Sequence, residues 1–315
     1  MKEKVKFAVL ADFHQAMYAD TAEEKLQQFI DAVNSDKEIE FVVDLGDFAY
    51  PLPANNIPVE NSKPLIDKFN SAFDVPVYHV LGNHECDYFT KKESLKFHGF
   101  GTEETYYSFD AEPFHFVVLD ANFMKLPEGY VAYENRNYYK WSYENPPVIP
   151  YLPDYELEWL REDLAKAKYP TIIFSHQHLS DKVFGSGIRN YDEFKKVIDT
   201  APNGVVMSIN GHEHLDFAHK EEGVWYYSLI SGTNMMIGSK HPLKGKYTED
   251  YMRSLPCIHK TLPYAKTQYG IFTADKNGVF VKGTEGGFEG PDLFEIGYPD
   301  AECFVPYVKE RYFEF

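Results

Sequence analysis

The chain has 315 residues, 44% apolar and 25% charged, enough to bury one large α/β core. Its 49 acidic residues outnumber 31 basic ones, for a net charge of −18, which disfavours nucleic acid or an anionic membrane as the main partner. Three cysteines, far apart and without a CxxC pair, argue against a disulfide framework and fit a reducing compartment.

Met1-Lys2-Glu3-Lys4 leads into an unbroken apolar run of five residues, Phe7 to Ala11, too short for a signal-peptide core or a bilayer span. A soluble, cytoplasmic protein is expected. Val5 to Ala11 predicts a buried strand. Thr21 to Asn34 predicts a helix, with Thr21 and Glu24 at capping positions and Leu26, Phe29, Ile30 and Val33 on one face. Phe41 to Leu45 is the next strand, Ser62 to Phe73 a second helix and Val75 to Leu81 a third strand. This β-α-β-α-β order implies a parallel sheet, and ligands in such sheets gather at the carboxyl ends of strands.

Thr105 to Asp110 and Phe114 to Asp120 predict a hairpin-connected pair. Asp154 to Lys168 reads as an amphipathic helix, Thr171 to Phe174 as a strand, Tyr191 to Thr200 as a helix and Val205 to Ile209 as a strand. Val224 to Ile230, Tyr269 to Ala274 and Gly278 to Lys282 read as late, antiparallel strands. The expected architecture is an α/β, four-layer αββα sandwich of two mixed sheets with flanking helices. Its domain runs over 1–283, with aromatic insertions near 122–151 and 232–264, and an extension over 284–315 packs back on it. The first insertion carries Tyr130, Tyr133, Tyr138, Tyr139, Trp141, Tyr143 and Tyr151. It reads equally as a buried aromatic cluster or as a wall that stacks a base or sugar.

Five short clusters follow the strands: Asp12-Phe13-His14, Gly46-Asp47, Gly82-Asn83-His84-Glu85, Ser175-His176 and Gly211-His212-Glu213-His214. Imidazole nitrogen and carboxylate oxygen are the donors that borderline metal ions prefer. Phosphate ester hydrolysis needs charge neutralisation and a strong nucleophile at neutral pH. Two cations about 3.5–4 Å apart supply both. Among the donors proposed as ligands only Asp12 and Asp47 are carboxylates, so a pair of divalent ions with a bridging hydroxide keeps a net positive charge that attracts phosphate. A calcium or magnesium cage would use more carboxylates and carbonyls.

The ordered set D-x-H, G-D, G-N-H-E, S-H and G-H-x-H, over roughly residues 5 to 230, resembles the calcineurin-like metallophosphoesterase superfamily. The resemblance implies a dinuclear site at the carboxyl-terminal rim of the strands. Asp12, His14 and His214 would hold one ion, Asn83, His176 and His212 the other, and Asp47 would bridge. His84 would assist the leaving group, with the adjacent acid, Glu85, orienting it. Manganese, iron and zinc all suit such mixed donors.

Tyr50 stands where the purple acid phosphatase branch has an iron-binding tyrosine, but this chain keeps His14, which is favoured as the ligand. His178 reads equally as a substrate contact or as a rim residue, and Asp44 and Asp120 as loop caps. The expected activity is hydrolysis of a small-molecule phosphodiester or pyrophosphate, nucleotide-like, through the bridging hydroxide. The rivals are a phosphomonoesterase on the same site and a non-catalytic interaction module of the same fold. The partner implied is a small-molecule phosphate ester, with neither nucleic acid nor membrane.

Overall fold

The computed structural model describes residues 2–15, 19–49, 58–142, 147–180, 186–238, 248–254 and 258–315. The first half of the chain starts with β1 (Lys4–Leu10), α1 (Ala19–Ser35), β2 (Phe41–Asp44), α2 (Lys63–Ser71), β3 (Val77–His79) and α3 (Lys91–His98). β4 (Tyr107–Ala111), β5 (Phe114–Leu119), β6 (Phe123–Leu126), β7 (Gly129–Ala132) and α4 (Asp154–Lys166) follow. Next come β8 (Thr171–Ser175), α5 (Tyr191–Ile198), β9 (Val205–Asn210), β10 (Phe217–Glu221), β11 (Val224–Ser228) and β12 (Asn234–Met236). The chain closes with α6 (Glu249–Ser254), β13 (Thr261–Pro263), β14 (Gly270–Asp275), β15 (Gly278–Lys282) and β16 (Arg311–Glu314).

Two six-stranded mixed sheets form, ordered β16-β15-β14-β1-β2-β3 and β10-β11-β9-β8-β5-β4. β1, β2 and β3 run parallel, as do β5, β8, β9 and β11. Both faces of such strands are covered, which explains why β5 and β8 are buried throughout and read as continuous apolar runs. The central core lies between the sheets and is rich in aromatics. Phe7 stacks on Phe41 and on Phe272 at 5.0 Å within its own sheet, and meets Phe116 edge-on at 5.5 Å from the other. A second core packs Leu26, Phe29, Ile30 and Val33 of α1, with Ile66 and Phe69 of α2, under the first sheet. A third packs Leu157, Leu160 and Leu164 of α4, with Phe194, Val197 and Ile198 of α5, over the second. The result is the expected four-layer order, helix, sheet, sheet, helix.

Several details differ from the sequence expectation. β3 is shorter, because Val80 and Leu81 stay buried but leave the ladder to lead into the Gly82 loop. β11 pairs parallel to β9 rather than antiparallel, because β10 and a turn at Glu222 and Gly223, both at positive φ, intervene. α3 was not anticipated, although Thr90 and Glu93 form a reciprocal capping box and Gly99 closes the helix at φ 74°. The 122–151 segment carries the β6–β7 hairpin, and its Met124, Tyr133 and Tyr138 pack with Leu81, Cys86, Leu95 and Phe100. β16 adds an edge strand to the first sheet beside β15. Among the described residues, no helix is long and apolar enough to cross a membrane.

Candidate metal centre

All five motif loops leave the carboxyl ends of parallel strands or the segments that extend them, so they meet on one rim. The loops after β1 and β2 are zipped together: the Asp12 N–H donates to Gly46 O, His14 N–H to Asp47 O and Gln15 N–H to Phe48 O, at 3.0, 3.0 and 2.9 Å. The loop after β9 is tied to the first by the His212 N–H, which donates to the Asp12 carboxylate at 2.9 Å. The His84 N–H donates to Asp47 Oδ1 at 2.8 Å and fixes the fourth element. Gly82 and Gly211 permit this approach, since a Cβ on either would overlap the carboxylate of Asp47 or Asp12.

Two groups of donors result. In one, His14 Nε2 and His214 Nε2 face each other at 2.9 Å, and Asp12 Oδ1 lies 3.3 Å from His214 Nε2. In the other, His176 Nε2 lies 3.2 Å from Asp47 Oδ2, 3.1 Å from Asn83 Oδ1 and 3.2 Å from His212 Nδ1. Within each trio, Asp12-His14-His214 and Asp47-His176-His212, the donor atoms all fall within 4.8 Å of one another. Asp12, His14, Asp47 and His176 are almost wholly buried. His14, Asp12, Asp47, His212 and His214 all adopt left-handed backbone, with φ between 48° and 66°. For non-glycine residues that conformation is strained, and such strain concentrates at functional sites.

The electrostatics fit cations. Burial would raise the carboxyls, but His214 holds Asp12 below the usual range, and His176 and His84 hold Asp47 well below it. Burial and the facing His214 push His14 well down, and burial with His176 lowers His212. Burial would lower His176 too, yet Asp47 raises it to about 10. Two facing imidazole nitrogens can share only one proton, and buried carboxylates beside them stay ionised. A positive ion of the kind that accepts mixed nitrogen and oxygen donors would resolve both costs.

The residue that orients His84 differs from expectation. Glu85 turns inward instead: its carboxylate accepts the N–H groups of Asp47, Phe48 and Gly82 at 2.7, 2.9 and 2.9 Å. Burial and the nearby Asp47 push it up to about 8. Glu85 therefore secures the Gly46-Asp47 loop. Asp87, one helical turn beyond His84, supplies the orienting carboxylate, with His84 Nδ1 2.8 Å from its Oδ2. Burial would lower His84, but Asp47 and Asp87 raise it. Its Nε2 lies 3.9 Å from Asp47 Oδ2, and its side chain is 13% exposed, so it can reach a ligand.

Tyr138 was not singled out by sequence reasoning. Its hydroxyl accepts from Asn83 Nδ2 at 3.1 Å and donates to Asp87 Oδ1 at 2.9 Å. The first bond turns Asn83 Oδ1 towards His176, and the second holds the acid behind His84. Asp44 Oδ1 caps the Gly46 N–H at 3.1 Å, and Asp120 accepts the Asn122 N–H at 3.0 Å. His178 is buried, stacks on His219 and Tyr226, and accepts the Ser180 N–H; burial lowers it to about 4. Tyr50 lies outside the described residues.

A family model described as calcineurin-like phosphoesterase matches residues 5–216. The chain belongs to the calcineurin-like phosphoesterase family. A manganese-dependent ADP-ribose/CDP-alcohol diphosphatase of Arabidopsis thaliana is 24% identical to this phosphoesterase over 231 residues, covering 60% of this chain and 69% of the relative. The crystal structure of a dimetal phosphatase from Danio rerio shares the fold, with a TM-score of 0.62 at 17% identity over 91% of this chain and 99% of that one.

Proposed function

We propose that this phosphoesterase is a metal-dependent hydrolase of small-molecule phosphodiesters or pyrophosphates, nucleotide-like in kind. The observation that carries the reading is the convergence of seven donors from five loops into two adjoining groups at one rim. Asp12, His14 and His214 would hold one ion, Asn83, His176 and His212 the second, and Asp47 would bridge them. Asp47 Oδ1 is engaged by the His84 N–H, so Oδ2 is the oxygen that faces the second group. Manganese, iron or zinc bound there would neutralise phosphoryl charge and lower the pKa of coordinated water. Asp87 accepts from His84 Nδ1, which directs Nε2 towards the cleft and lets that atom donate to the departing oxygen. Glu85 keeps the Asp47 loop fixed through its three N–H bonds. The name of the Arabidopsis relative, a diphosphatase acting on ADP-ribose and CDP-alcohols, supports the substrate class.

The test compares bis-p-nitrophenyl phosphate, p-nitrophenyl phosphate, ADP-ribose and CDP-choline with manganese, iron or zinc added to chelator-treated protein. Turnover of the diester or the diphosphates that returns with metal is expected. Cleavage of the monoester alone would move the assignment to a phosphomonoesterase, and no turnover with any metal would favour an interaction module.

A further inference from the structure

The family match ends at residue 216, yet a cavity beside the metal centre is walled by residues that come much later. It encloses about 220 Å³ and shares His214 with the first donor group. Leu215, Phe217, Met235 and Tyr264 line it on the domain side, and Cys303, Phe304 and Val305 close it from the C-terminal segment.

That segment is firmly placed. Arg311 Nη1 donates to both oxygens of Asp216 at 2.6 Å, and the Lys309 N–H donates to Asp216 Oδ2 at 3.1 Å. The Tyr227 hydroxyl donates to Asp216 Oδ1 at 2.7 Å. β16 pairs with β15, and Glu314 O accepts Trp225 Nε1 from the opposite sheet at 2.9 Å. Phe304 is held edge-on by Tyr298 at 5.7 Å.

Resting on the phosphoesterase reading, we propose that this cavity is a substrate subsite for one planar, apolar ring carried on the phosphate ester. Its size takes a single ring system and falls short of the roughly 300 Å³ at which whole drug-sized ligands begin to fit. Phe217, Tyr264 and Phe304 offer aromatic walls suited to a flat group. The wall is mostly apolar, so a sugar would lose more water there than the few polar groups replace. A cationic head group gains little, because the carboxylate of Asp216 is already neutralised by Arg311 and saturated with hydrogen bonds.

The experiment uses manganese-loaded, full-length protein and reads binding rather than turnover. ¹⁹F NMR titrations compare 4-fluorobenzylphosphonate, fluoromethylphosphonate and fluorobenzene alone. The aryl phosphonate should bind about tenfold to a hundredfold more tightly than the methyl one, from burial of its ring. Blocking Cys303 with N-ethylmaleimide in Cys257→Ser protein, where the remaining Cys86 is buried, should erase that ratio after folding is complete. Val305→Trp should do the same, while Phe294→Ala, an exposed position of the same segment, should keep it. Equal affinity for the two phosphonates, or a ratio that survives labelling of Cys303, overturns the proposal. Loss of all phosphonate binding, with fluorobenzene still displaced by the label, would sink the phosphoesterase reading and leave the ring site standing.

Discussion

Within β1, Phe7 lies flat between Phe41 and Phe272 in ordinary strand conformation; a few residues later the same chain turns Asp12 and His14 into left-handed backbone beside buried charge. The inter-sheet core gains from apolar burial and ring packing at every position. The rim spends part of that gain on strain, on close imidazole pairs and on desolvated carboxylates. Stability and function are thus separated along one strand by about one turn of a loop, and a substitution should affect one without the other.

The sharpest break in that comparison is Asp47→Asn, which keeps the acceptor for the His84 N–H but removes the charge facing both donor groups. Turnover should vanish and bound metal should fall in elemental analysis. The urea midpoint of metal-free protein should fall, since His176 is left as a buried cation without its carboxylate partner. A variant with full metal content would contradict the bridging role. Next in size, His84→Gln should lower kcat by about 10²–10⁴-fold with metal content unchanged. On the core side, Phe7→Ala should cost about 3–5 kcal/mol in denaturant unfolding, while the surviving folded protein binds metal normally. Tyr138→Phe keeps the ring stacked on Tyr133 at 4.4 Å but loses the hydroxyl's bonds to Asn83 and Asp87. Metal affinity by calorimetry, or turnover, should drop about 10- to 100-fold, with stability lower by about 1–3 kcal/mol because Asn83 Nδ2 and Asp87 Oδ1 lose a buried partner.

The smallest expected effect lies away from both regions. Burial would lower His115, but its bonds to Asp163 and Asp110 raise it above the ordinary value. A raised folded pKa contributes stability that is complete below the unfolded value of about 6.5 and is lost as pH climbs through the folded one. The stability difference between the parent and His115→Gln should therefore shrink from pH 5 to pH 8, and a constant gap would rule out this linkage.

Strand ends and donor types make the rim legible in the sequence. Asp12, His14, Asp47, Asn83, His176, His212 and His214 follow apolar runs that become β1, β2, β3, β8 and β9 or their extensions, so convergence followed from topology. What escaped was second-order geometry. Which of Glu85 and Asp87 faces His84 depends on a single helical turn, and adjacency in sequence points to the wrong one. Tyr138 sits among many similar aromatics, and only the fold brings its hydroxyl to Asn83. β10 and β16 are short edge strands with mixed patterns, FAHKE and RYFE, whose pairing is set by neighbours rather than by period.

The position of β16 has a practical consequence for handling the protein. β15 reads GVFVK, an apolar ribbon, whereas β16 brackets its own apolar residues between Arg311 and Glu314. Charges at a sheet margin discourage pairing between molecules. A version trimmed after Lys309 would bare the unsatisfied amides and carbonyls of β15 and should self-associate more in light scattering, so shortening this end would expose a seed for polymerisation.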